Sequence, residues 1–157
     1  MTDGNVYTSK QIADILKIYP KTLSYWVKRG VLVPEVYAPS GRGTTRLFSW
    51  HNLSEAALGR ELAKDSLPLA FIKRLLDFLR QRQFWGEFSQ RFGEGLEGDA
   101  SYYLVWGKRD YAEDGDFLEL VRPGDTGGLE RFLFQGNERL TIWNLTRLCG
   151  RLFAELS

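Results

Sequence analysis

The chain has 157 residues, 43% of them hydrophobic and 14% aromatic, which suits one ordinary domain or two small ones and excludes a disordered chain. One Cys and one His exclude a disulfide framework and argue against a thiolate or imidazole metal site. The formal charge of +1 hides an asymmetry: residues 1–92 carry 14 Lys and Arg against 8 Asp and Glu, a net of +6, and residues 93–157 carry 7 against 12, a net of −5. A basic half joined to an acidic half points to separate tasks, with a polyanion a candidate partner of the first.

The first stretch, "MTDGNVYTSKQ", has no hydrophobic signal core, and no run approaches the roughly 18 apolar residues of a membrane helix. A cytoplasmic protein without membrane contact is expected. "TSKQIADILK" opens with a capping-box pattern, Thr8 to Gln11, and places Ile12, Ile15 and Leu16 on one helical face. After a break at Ile18–Tyr19, Pro20 suits the first turn of a second helix that runs to about Lys28 and stops at Gly30. Two short helices joined by a tight turn make a helix-turn-helix pattern. "VLVPEVY" and "TRLFSW" then read as strands of a hairpin around the turn-rich tip "APSGRGT". Ser49 is placed to cap a third helix reaching about Lys64, with His51 in its first turn as a surface or capping residue. Pro68 opens a fourth helix with Ile72, Leu75, Leu76 and Leu79 on its core-facing stripe.

From about Gly93 the texture changes. "GEGLEGDAS" reads as an acidic, glycine-rich linker. "YYLVWG", "FLELVRPG", "RFLFQG" and "RLTIW" follow as four β-prone runs, with a tight turn predicted at Gln135–Glu138 and a hairpin turn at "EDGD", Glu113–Asp116. Asn144 can cap a last helix whose Leu145, Leu148, Cys149, Leu152, Phe153 and Leu156 keep helical spacing. Cys149 reads as a small buried hydrophobe. The aromatics Tyr102, Tyr103, Trp106, Phe117, Phe132, Phe134 and Trp143 read as the core of a small domain, with an effector pocket as the sharper alternative. The predicted fold is α+β: a mostly helical N-terminal winged helix-turn-helix with one β-hairpin wing, then a small β-rich domain closed by an amphipathic helix. The expected boundaries are 1–83, a short helix and linker at 84–99, and 100–157.

The second helix carries Lys21, Ser24, Tyr25 and Lys28 at spacing i, i+3, i+4, i+7, while Leu23, Trp26 and Val27 turn inwards. A helix of this size fits a duplex major groove, where lysines meet phosphates or guanine edges. Between Lys17 and Arg46 lie six basic residues and one acidic residue, Glu35. The predicted DNA-contact set is Lys17, Lys21, Ser24, Tyr25, Lys28 and Arg29 on and beside the helix, with Arg42, Thr45 and Arg46 on the wing. No nucleophile–base pair, Walker loop or paired-carboxylate signature appears, so a non-enzymatic protein without a cofactor is expected.

From Val6 to about Arg80 the sequence resembles the winged helix-turn-helix domain of MerR-like transcription regulators. Tyr7, Thr8, Gln11, Ile12 and Ala13 match the family's opening. Lys21, Thr22, Leu23, Tyr25, Gly30, Leu32 and Pro34 match its second helix and exit, and Arg46, Leu47, Phe48 and Ser49 its wing signature. The resemblance implies DNA contacts from Lys21, Thr22, Tyr25 and Arg46, and a dimer. The chain departs from the family pattern at Ser24, where an arginine is usual, at Trp26, and at Thr44-Thr45. It also lacks the heptads of the family's long pairing helix: Gly86, Gly93, Gly95 and Gly98 interrupt that region. A homodimer is therefore expected to join through residues after Phe84, using Phe84, Trp85, Phe88 and Phe92 or the Leu145–Leu156 stripe. Partners expected are double-stranded DNA, a second copy, and a protein or small-molecule effector at the acidic domain. Two other readings stay open: an antitoxin-type autorepressor whose acidic domain binds a basic protein, and an excisionase-like architectural DNA-binding protein.

Overall fold

The computed structural model describes residues 5–36, 46–93, 101–109, 116–125, 127–133 and 137–156. They form two compact units, one of residues 1–81 with 152–157 and one of residues 82–151.

In the first unit a short strand β1 (Tyr7–Thr8) leads into α1 (Ser9–Leu16). The predicted capping box is formed: the Gln11 amide donates to Thr8 Oγ1 at 3.2 Å and the Thr8 amide to Gln11 Oε1 at 2.8 Å. Lys17, left-handed at φ 54°, ends the helix. α2 (Pro20–Lys28) starts on its proline as expected. It buries Leu23 and Trp26 and leaves Val27 half-buried. α3 (Trp50–Lys64) is capped by Ser49, whose Oγ accepts from the Asn52 amide at 3.1 Å. α4 (Leu69–Gln81) buries its Ile72, Leu75, Leu76 and Leu79 stripe. α1 packs on α2 and α3, and α3 on α4. Gly59 of α3 lets the Trp26 ring come close, since a Cβ there would stand 3.2 Å from Trp26 Cζ3.

The predicted pairing of "VLVPEVY" with "TRLFSW" is not what the described residues form. Strand β2 (Leu47–Phe48) pairs antiparallel with β1 instead, Tyr7 opposite Phe48 and Thr8 opposite Leu47. Residues 31–36 form no strand, because a residue from the next helix takes up their backbone groups. The buried Asn52 side chain serves their backbone, donating to the Val33 carbonyl at 2.8 Å and accepting from the Glu35 amide at 2.9 Å. The tip of the predicted hairpin, residues 37–45, lies outside the described residues. So do the turns predicted at Glu113–Asp116 and Gln135–Glu138, apart from the strand residues that flank them.

The second unit opens with α5 (Phe84–Gly93), separated from α4 by Gln83 at φ 57°. Strands β3 (Tyr103–Arg109), β4 (Asp116–Val121) and β5 (Asn137–Asn144) make an antiparallel sheet in the order β4-β3-β5. Three of the four β-prone runs are thus strands. Arg131–Leu133 of the fourth run lie instead in one turn of helix, α6 (Glu130–Leu133), where Phe132 fills the core beside Val105 and Val121 and stacks on Phe117 at 6.0 Å, and Phe134 lies outside the described residues. α5 is the short helix expected after α4, and the linker predicted after it, residues 94–100, lies outside the described residues. Phe84 and Phe88 pack edge-on to the buried Tyr102 ring at 5.5 and 5.9 Å, and Trp85 is 3% exposed. The last helix, α7 (Leu145–Leu156), is capped by Asn144, whose Oδ1 accepts from the Arg147 amide at 3.0 Å. Leu145 and Cys149 are buried in the second unit, and burial raises the Cys149 thiol well above its usual range. The last turn of α7 belongs to the first unit. There Phe153 meets Trp50 at 4.9 Å and Glu155 meets Arg60 at 3.5 Å. Both apolar surfaces expected to hold a dimer, on α5 and α7, are largely spent inside the chain's own cores.

Candidate nucleic-acid interface

α2 positions the candidate side chains. Leu23, fully buried, and Trp26, 5% exposed, fix one side of the helix in the first unit, so residues on the other side are presented to solvent. Lys21 and Lys28 are exposed, Tyr25 is 47% exposed, and Thr22 and Ser24 are half-buried. Lys17 is exposed in the left-handed turn before the helix. Arg29 is exposed just after it and folds back along the axis. Its Nε donates to Tyr25 Oη at 3.1 Å and its guanidinium lies 5.2 Å from the Tyr25 ring centroid. This pair fixes a planar cation and a phenol on one face without neutralising the charge. α2 contains no acidic residue, so its exposed face is a cationic surface with hydroxyl groups at Ser24 and Tyr25. Such a face suits phosphate oxygens and base edges.

Arg46 is half-buried and stands immediately before β2. Arg42 and Thr45 fall outside the described residues. Seven of the ten predicted contact residues are thus gathered on or beside α2, and Arg46 stands apart at the base of the predicted wing. Sequence reasoning did not find Lys73, which faces α2 from α4. With Tyr25, Arg29, Val31, Leu69 and Ala70 it lines a cleft of about 370 Å³ at the C-terminal end of α2, and its ammonium pairs with Asp77. Nothing in the local pattern of α4 signals this, because the neighbours of Lys73 across the cleft are more than 40 residues away. His51, read as a surface or capping residue, is half-buried in the first turn of α3, with Nδ1 3.8 Å from Glu35. Among the described residues no group of three His, Cys, Asp or Glu gathers where a metal ion could be held. No helix there is long and apolar enough to cross a membrane.

A buried pivot of α2, a tight turn ahead of it and an exposed basic face define a helix-turn-helix domain. Comparison with known proteins makes this specific. Residues 7–79 match the family described as MerR HTH family regulatory protein, so the N-terminal part of the chain is a MerR-like helix-turn-helix domain. Three similar curated proteins, one from Mycobacterium bovis and two from strains of Mycobacterium tuberculosis, carry the name uncharacterized HTH-type transcriptional regulator. Each is 28% identical to this chain over 76 residues, which are 48% of this chain and 34% of the relative. The chain therefore spans about a third of the length of the curated relatives it matches.

Proposed function

We propose that the protein is a transcriptional regulator that binds double-stranded DNA with α2 in the major groove. Lys21, Ser24, Tyr25 and Lys28 face the bases and nearer phosphates, with Lys17, Thr22 and Arg29 at the margins. Arg46, with Arg42 and Thr45 beyond it, meets the flanking backbone as a wing. One observation carries this reading: the exposed face of α2 is basic and free of acidic residues, while its opposite face is pinned in the core. The printed names of the mycobacterial relatives, HTH-type transcriptional regulators, support it.

One nine-residue helix reads too few base pairs for useful specificity, so the protein acts as a homodimer on a palindromic site. The second unit supplies pairing or an input signal. Phe84, Trp85 and Phe88 of α5 and Leu145, Cys149, Leu152 and Phe153 of α7 are buried in the chain, so pairing through residues after Phe84 uses what these helices leave accessible, Phe92, Leu148 and Leu156 among it.

Selection from a random duplex library, followed by titration of the selected site at several salt concentrations, tests this function. Log affinity is expected to fall by roughly 0.9 per neutralised phosphate for each tenfold rise in salt. Failure to enrich any sequence, together with salt-independent binding, refutes the proposal.

A further inference from the structure

Tyr19 stands at the N-cap of α2 and is 82% exposed, far more than any other exposed large hydrophobic side chain among the described residues. Its position makes that exposure informative. The N-cap favours Ser, Thr, Asp or Asn, whose side chains accept a bond from the first turn, and the other capped helices of this unit use Thr8 and Ser49 in that way. Tyr19 makes no side-chain capping bond. Its backbone is ordinary for the position, φ −67° and ψ 137°, and its carbonyl accepts from the Thr22 amide at 2.9 Å. The chain thus places an aromatic ring in water at the leading end of the basic helix, where a small polar residue gives a better-capped helix. Lys17 and Lys21 stand two residues to either side, and no acidic residue occurs from Lys17 to Arg29.

We infer that Tyr19 is a specificity-determining residue, its ring packing in the major groove against the C5-methyl group of a thymine in the recognised site. This inference rests on the proposed DNA binding. The N-terminal end of a recognition helix is the part that meets base edges. A thymine methyl is the one apolar feature the major groove offers a ring. The flanking lysines bring phosphates alongside and leave a protein partner with a basic surface disfavoured.

The test uses the intact protein and its selected duplex. Tyr19→Ser restores a good N-cap, so the melting temperature is expected to hold or rise. Affinity for the selected site is expected to fall roughly 5- to 100-fold, with preference lost at one thymine. Tyr19→Phe keeps the ring and is expected to retain that preference. Replacing this thymine by uracil removes only the methyl, and is expected to weaken the unsubstituted protein while leaving Tyr19→Ser unmoved. If Tyr19→Ser binds and discriminates like the unsubstituted protein, the inference is overturned while DNA binding stands. A relaxed position that is not a thymine overturns it equally. If the unsubstituted protein selects no site, DNA binding itself falls, and the role of Tyr19 with it.

Discussion

Replacing Arg80 with Ala leaves a carboxylate stranded in the core of the first unit. Glu55, fully buried on α3, accepts from Arg80 Nη2 through Oε2 and from Nε at 3.2 Å through Oε1, while Asp77 Oδ1 takes Arg80 Nη1 at 3.0 Å. Burial outweighs this pairing and pushes the Glu55 carboxyl up to about 7 from its ordinary 4.5. An acid raised on folding holds its proton in the folded state where the unfolded chain has released it. Stability therefore falls as pH rises from about 4.5 to about 7, by at most ~3 kcal/mol at 1.36 kcal/mol per unit. Without Arg80 the charged form loses its partner, and the cost at pH 8 is about 3–5 kcal/mol, or roughly 6–20 °C in melting temperature. At pH 5 Glu55 is neutral and the loss is about 1–2 kcal/mol, the value of the missing hydrogen bonds. Thermal melts of Arg80→Ala, Glu55→Gln and the unsubstituted protein between pH 5 and 8 measure all of this. Glu55→Gln is expected to flatten the pH slope. Equal destabilisation of Arg80→Ala at both pH values would refute the reasoning.

Lys21→Ala and Tyr25→Ala are expected to weaken binding to the selected duplex by about 1–3 kcal/mol without shifting the melting temperature, whereas Leu23→Ala costs about 2–5 kcal/mol of stability; early melting of all three contradicts the two-faced α2. Gly107→Ala puts a Cβ 2.5 Å from Phe117 Cζ and 2.8 Å from Leu140 Cδ2, so a stability loss of about 1–3 kcal/mol is expected by urea unfolding, and none would discredit the described β3 packing. Ending the chain at Arg151 removes Phe153 from Trp50 and Glu155 from Arg60, whose Nη1 also holds the Leu16 carbonyl at 3.0 Å. A loss of about 3 kcal/mol is expected, and an unchanged melt would show that the last turn of α7 contributes nothing.

The parts readable from sequence are those set by neighbours within four residues. Thr8 with Gln11, Pro20, Ser49 and Asn144 mark helix starts through bonds or dihedrals confined to one turn, and the structure forms each of them. The i, i+4 spacing of Tyr25 and Arg29 likewise puts them in reach of each other. What stays hidden depends on residues far apart. β1 pairs with β2 across 40 residues, and the strand-like run at 31–36 is diverted by Asn52, which lies in the following helix. "RFLF" is too short for its period to separate strand from helix, and the demand of the core around Phe132 decides the matter. Phe84 and Phe88 look like a free apolar face until the Tyr102 ring is seen against them. The glycines there suggest a broken, linker-like segment, yet Gly86 is exposed on α5 with open space around it, so the helix tolerates it.

The central claim is that α2 is the surface that meets DNA. Adding the selected duplex to isotope-labelled intact protein and following backbone amide resonances tests this residue by residue. The largest perturbations are predicted along Lys17–Arg29 and around Arg46, with the β3, β4 and β5 amides little changed. Perturbations concentrated on that sheet, with Lys17–Arg29 silent, would contradict it.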